Sequence, residues 1–116
     1  MSLAFFSDMT ASEASRAEAV MLKSLEVIPD SENRAKYREE AAEYSLAMTR
    51  YLDNPTEQHL AELASEQADV LLTSWKSMRD IPGLQELTYQ EFEKKIERLY
   101  WLTARRKEEQ GDSYAE

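Results

Sequence analysis

Two acidic pairs carry the clearest chemical signal in the chain. Glu40 and Glu43 stand three residues apart in Arg38-Glu39-Glu40-Ala41-Ala42-Glu43, and Glu66 and Asp69 stand three apart in Ser65-Glu66-Gln67-Ala68-Asp69-Val70. Residues three apart on an α-helix are separated by about 60° around its axis, so each pair can aim at one target. Two such pairs on neighbouring helices make four carboxylates that repel one another unless a cation sits among them. Oxygen-only ligands select Mg²⁺, with Mn²⁺ as the alternative, over the metals that imidazole and thiolate attract. A cation held this way neutralises phosphate charge and activates water for attack on phosphorus. The competing account of the same residues is a solvated acidic face, because acidic pairs at this spacing are common on helix surfaces.

A basic set follows near the end: Lys94, Lys95 and Arg98, then Arg105, Arg106 and Lys107. The helix macrodipole favours cations at a C-terminus, which suffices for the last three. Lys95 and Arg98, three apart, can reach phosphate oxygens. Other reactive arrangements are missing from the sequence. There is no cysteine, so thiolate chemistry and zinc–cysteine sites are excluded. The single histidine, His59, has glutamates only at Glu57 and Glu62, which does not make the Glu-x-x-His motif of a di-iron bundle. No Gly-rich phosphate loop occurs.

The elements that must position the acids read as helices. In 116 residues there are only two glycines and three prolines, too little punctuation for a fold of many short strands. Thr10-Ala11-Ser12-Glu13 has the form of a capping box, and Ala14, Ala17, Met21, Leu25 and Ile28 follow at helical period until Pro29 stops them. Asp30 or Ser31 is expected to cap a second helix reaching Leu52, with Tyr37, Ala41, Tyr44, Met48, Tyr51 and Leu52 as its stripe and Glu40 at the flank. Lys36, four residues before Glu40, can pair with it. Asn54 and Pro55 open a third helix to Met78 or Arg79. Leu60, Leu63, Ala64, Gln67, Leu71, Ser74 and Met78 form one face of it, with Val70 and Trp75 at its edges, and Glu62, Glu66, Asp69 and Thr73 lie opposite. Asp80-Ile81-Pro82-Gly83 breaks the chain, and Thr88-Tyr89-Gln90-Glu91 reads as a capping box opening a fourth helix to Lys107. Phe92, Ile96, Leu99 and Thr103 form its stripe, widened by Tyr100, Trp101 and Leu102, as is usual for a helix covered by its own bundle and by a second subunit. The expected fold is all-α, an antiparallel four-helix bundle: an irregular lead over residues 1–9 whose Phe5-Phe6 pair packs onto the body, one domain over 10–109, and a disordered tail over 110–116.

The net charge of −9 disfavours duplex nucleic acid and anionic membrane surfaces, both of which are bound through Lys and Arg. No apolar run approaches the ~18 residues that span a bilayer. Residues 1–9 lack the basic start and long apolar stretch of a signal peptide, so a soluble cytoplasmic protein is expected.

The order Glu40-x-x-Glu43, 22 further residues, then Glu66-x-x-Asp69 resembles the acidic pattern of the MazG-type all-α nucleotide pyrophosphohydrolases. The flanks are similar too, with Val70 and Leu71 straight after Asp69, and the likeness spans residues from about 33 to 99. The resemblance implies helices intertwined in a homodimer or dimer of dimers, with Glu40, Glu43, Glu66 and Asp69 as Mg²⁺ ligands. It implies that Glu40 or the adjacent Glu39 positions or deprotonates a water, which splits a nucleoside triphosphate into monophosphate and pyrophosphate in nucleotide-pool house-cleaning. Lys95 and Arg98 fall where that family often places phosphate contacts, while Ala42 stands where it often has glycine. The alternative expectation is a non-catalytic helical interaction protein that oligomerises through its aromatic stripe and uses the acidic face for solubility or a basic partner.

Overall fold

The computed structural model describes residues 8–111. The Phe5–Phe6 pair and residues 112–116 of the tail lie outside them. Among the described residues there are four helices and no strand: α1 (Ala11–Val27), α2 (Asp30–Asp53), α3 (Glu57–Asp80) and α4 (Leu84–Glu109). The fold is all-α, in the class and with the helix number expected of a four-helix bundle. The chain divides into two compact units, the first ending at Asp80 and the second beginning at Ile81.

In the first unit, α1 starts as its sequence dictates. The Glu13 N–H donates to Thr10 Oγ1 at 3.1 Å and the Thr10 N–H donates to Glu13 Oε1 at 2.9 Å. The two residues thereby satisfy each other's free groups at the helix start. These bonds, the one from the Thr10 backbone foremost, hold the Glu13 carboxyl below its usual range. The helix ends at Ile28, which is extended (φ −84°, ψ 132°) ahead of Pro29. Met21 is buried, and Ala14, Ala17, Leu25 and Ile28 are half-buried around it, as their spacing predicts.

The next two starts differ from the expectation. On α2 neither Asp30 nor Ser31 is the cap. Pro29 occupies that position and its carbonyl accepts from the N–H groups of Glu32 and Asn33, which leaves Asp30 and Glu32 in the first turn, where the macrodipole favours carboxylates. On α3 the cap is Thr56 rather than Asn54, with the His59 N–H donating to Thr56 Oγ1 at 3.0 Å. Asn54 instead closes α2, and its carbonyl accepts from His59 Nδ1 at 2.7 Å. The lone histidine therefore has a structural partner at the α2–α3 turn.

Helix α3 packs against both α1 and α2. The start of α2 meets the end of α3: the Tyr37 hydroxyl donates to Asp80 Oδ2 at 3.1 Å, and Lys76 Nζ donates to Asn33 Oδ1 at 2.9 Å. Further along, Glu40 of α2 lies with Glu66 and Asp69 of α3. The first turns of α2 meet the last turns of α3, and Glu40 further along α2 meets the earlier Glu66 and Asp69, so the two run antiparallel. On the other side, Arg79 of α3 bonds Glu18 of α1 at 3.2 Å and lies 4.9 Å from the centre of the buried Trp75 ring.

On α2 and α3 this packing covers residues that hydrophobicity did not mark. On α2 the covered side runs Asn33, Tyr37, Glu40, Tyr44, Ala47 and Tyr51, so Glu40 is central to it rather than at its flank, and Ala41 and Leu52 are exposed. On α3 the expected apolar face is covered in part, with Leu63, Leu71 and Met78 half-buried and Trp75 at its edge buried, while Leu60, Ala64, Gln67 and Ser74 are exposed; the opposite side is covered too, with Glu66, Asp69 and Thr73 half-buried and Lys76 buried.

In the second unit, α4 begins four residues ahead of the Thr88 signal. Gly83 adopts φ 82°, a left-handed conformation that glycine takes without penalty, and the chain turns there directly into the helix. Leu84-Gln85-Glu86-Leu87 are good helix formers, so Thr88 falls inside the helix. Phe92, Ile96, Leu99, Tyr100, Trp101 and Leu102 are all exposed, and the Tyr100 and Trp101 rings meet edge to face at 5.2 Å. Among the described residues no helix is long and apolar enough to cross a membrane.

Candidate metal centre

The groove between α2 and α3 gathers the acids. Glu40, Glu66 and Asp69 each present a carboxylate oxygen, and these atoms lie within 4.8 Å of one another. A second grouping at the same limit joins Glu40 to Glu39 and Glu43 on α2. Glu40 belongs to both and is the most deeply placed, at 7% exposure, while Glu66 and Asp69 are half-buried and Glu39 and Glu43 are exposed.

Two carboxylate oxygens are unsatisfied. Glu40 Oε2 and Glu66 Oε2 are buried and neither has a hydrogen-bond partner. Buried polar atoms in folded proteins are nearly always paired, because an unpaired one loses its water without replacement. Burial raises the Glu40 carboxyl above its ordinary value, and the charges of Asp69 and Glu43 push it further. The Glu43 carboxyl is raised as well, first by loss of water and then by Glu66 and Glu39. One cation faces the group: Lys36 Nζ lies 3.4 Å from Glu39 Oε2 and 3.7 Å from Glu40 Oε1. The Lys36 side chain is 61% exposed, so solvent screens that pairing. Its ammonium is held above its usual range by Glu39 first.

The donor set fits a hard divalent cation. It offers oxygen alone, the ligand type such cations take, and two of its residues carry a buried oxygen with no partner. Of the seven residues expected to form a site, the structure brings Glu40, Glu66 and Asp69 together, with Glu39 and Glu43 joined through Glu40. Lys95 and Arg98 lie on α4, exposed, with no hydrogen bond or ion pair to any described residue.

Beside the acids the groove opens into a cavity of about 650 Å³, lined among others by Asn33, Lys36, Glu40, Asp69, Thr73 and Lys76. That volume suits a small-molecule ligand. The sequence did not single out Asn33 or Lys76. Their one visible mark is register: Asn33 stands seven residues before Glu40 and Lys76 seven after Asp69, two helical turns along the same faces. Compared with protein-family models, curated proteins and solved structures, the chain matches none.

Proposed function

We propose that the protein is a Mg²⁺-dependent nucleoside triphosphate pyrophosphohydrolase of the MazG type, acting in the cytoplasm on the nucleotide pool. The observation that carries this is the pair of buried, unpartnered oxygens, Glu40 Oε2 and Glu66 Oε2, in one cluster with Asp69. Glu40, Glu66 and Asp69 hold the cation, and Glu43 completes the set at the open edge. A bound Mg²⁺ supplies neutralisation of phosphate charge and a lowered pKa for water. Glu39, exposed and beside Glu40, accepts a proton from the attacking water or orients it, with Lys36 3.4 Å away. The adjoining cavity receives the rest of the substrate.

A second copy of the chain covers the exposed α4 stripe in this proposal, as a dimer or a dimer of dimers. What supports it is that Met21, Ala47 and Trp75 are the only buried apolar residues among those described, while Phe92, Leu99, Tyr100 and Trp101 are each more than half exposed. Contiguous apolar surface of this kind marks an interaction site. The same observation favours the second account, a non-catalytic helical interaction protein.

Pyrophosphate release from a panel of nucleoside triphosphates with Mg²⁺ separates the two. Turnover that disappears in Asp69→Ala, with helical circular dichroism retained, is the expected result. No turnover on any nucleotide in the unaltered protein would sink the enzyme assignment.

A further inference from the structure

Lys76 is 9% exposed, and its ammonium makes one hydrogen bond, to Asn33 Oδ1 at 2.9 Å. Asn33 is 2% exposed and is itself fixed, with Nδ2 donating to the Ile28 carbonyl at 3.3 Å. No carboxylate lies within ion-pairing distance of Lys76 among the described residues. An ammonium carries three donors, and here two of them have no protein partner. Lys76 lines the cavity, so those two donors are available to a molecule that enters it. Asn33 can orient the ammonium but cannot neutralise it. What would complement the position is an anion.

The surroundings say where that anion sits. Lys76, Asn33, Glu40 and Asp69 line the same cavity. Lys76 and Asp69 are seven residues apart on α3, so their backbones are about 10 Å apart along the groove. Glu32 and Lys36, both exposed, line the cavity too. At one end the carboxylates outnumber the single Lys36, and at the other Lys76 is covered and makes no ion pair with Glu32 or any other described residue. A neutral ligand or a nucleobase complements neither end. A phosphate chain whose metal end rests on the carboxylates complements both. We infer that Lys76, oriented by Asn33, binds a phosphoryl group of the metal-bound substrate from the far end of the α2–α3 cavity. The assignment deepens the pyrophosphohydrolase proposal and rests on it for the metal end alone. Ammonium-to-phosphate bonds are charge-assisted and among the stronger hydrogen bonds, and Asn33 costs no charge in holding the donor. Lys76 is thus a binding residue.

The test uses inorganic pyrophosphate as probe and Mn²⁺ as the cation, each titrated alone and together by calorimetry, with Mn²⁺ also followed by paramagnetic resonance. In Lys76→Met, Mn²⁺ affinity stays at the unaltered protein's value and pyrophosphate binds about tenfold more weakly or worse, as losing one charge-assisted bond gives. Lys76→Arg recovers most of that loss. Equal pyrophosphate affinity in Lys76→Met overturns the inference, as does an unaltered protein that binds no pyrophosphate with or without Mn²⁺. If Mn²⁺ does not bind but pyrophosphate still does so through Lys76, the metal-enzyme proposal falls and the anion site stands. Should Lys76→Met not fold, reductive methylation of the unaltered protein decides the matter. Pyrophosphate should slow labelling at Lys76, and labelling that does not change refutes the inference.

Discussion

Replacing Glu40 by Gln should make the metal-free protein more stable and the metal-loaded protein less so. Glu40 sits with Asp69 at no more than 4.8 Å between oxygens. Two unit charges at that distance repel by about 0.9 kcal/mol in water and about 3.5 kcal/mol at the effective dielectric of a partly covered site. The groove opens to solvent and Lys36 faces Glu40 at 3.7 Å, so the lower end applies, about 1 kcal/mol. For a domain of this size that is about 4 °C in melting temperature. The amide keeps the shape of the carboxylate, so packing is unchanged. Mg²⁺ acts in the opposite direction: at a hundredfold excess over its dissociation constant it stabilises the unaltered protein by about 2.7 kcal/mol, about 10 °C. Glu40→Gln removes the ligand shared by both acidic groupings, and this shift should all but vanish. Differential scanning fluorimetry with chelator and with millimolar Mg²⁺ gives all four melting temperatures. A lower metal-free midpoint in Glu40→Gln would refute the reasoning, because it would mean Glu40 is stabilised where it lies. The sign with pH follows from the same cause. Glu40 and Glu43 are raised above their ordinary 4.5 in the folded chain, so between that value and their folded values the native state binds more protons than the unfolded one. Their contribution to metal-free stability therefore increases as pH falls from neutrality toward 4.5, while Mg²⁺ binding weakens over the same range because protons compete for the ligands.

Two other perturbations are informative. Burial and the bond to Asp80 push the Tyr37 hydroxyl up to about 12, so the stability it contributes is complete below pH 10 and lost as pH rises from 10 through 12. Tyr37→Phe should cost about 1 kcal/mol at neutral pH, the net value of one such bond, and should flatten alkaline unfolding above pH 10 followed by circular dichroism. Leu99→Glu, on the exposed α4 stripe, should lower the sedimentation coefficient to that of a monomer, and an unchanged assembly would place the subunit contact elsewhere.

Local signals in the sequence held where they are made by neighbouring residues alone. The Thr10–Glu13 capping box and the stop at Ile28 ahead of Pro29 depend on a few adjacent side chains and the chain's own sterics, and both are found as expected. The α2, α3 and α4 starts moved because competing local solutions were equally available. Pro29, Thr56 and Gly83 took the positions assigned to Asp30 or Ser31, Asn54 and Thr88. Facing was harder to read. Hydrophobic periodicity assigns the core side by where apolar residues lie, and on α3 that rule found Leu63, Leu71 and Met78, half-buried, but also chose Leu60, Ala64 and Gln67, all exposed. It missed that α3 packs against two helices, so that Glu66, Asp69, Thr73 and Lys76 are covered as well.

The covered charge on that second side is itself the argument for a site. A fold selected only for stability covers apolar side chains and leaves charges in water, since charge burial is among the largest penalties a chain can carry. Here α2 and α3 bury Ala47 and Trp75 but also cover charge along their shared groove: Glu40 and Lys76 are buried with Asn33, and two carboxylate oxygens go unpaired. The two kinds of charge are also kept apart. Glu40 and Lys76 are both nine-tenths covered in one groove, yet the ammonium bonds to a neutral amide rather than closing onto the carboxylates. Direct pairing would have relieved both groups within the chain. Separation instead leaves carboxylates and an ammonium facing a common cavity, an arrangement that, under the proposed function, a metal-bound phosphate chain would complete at both ends at once.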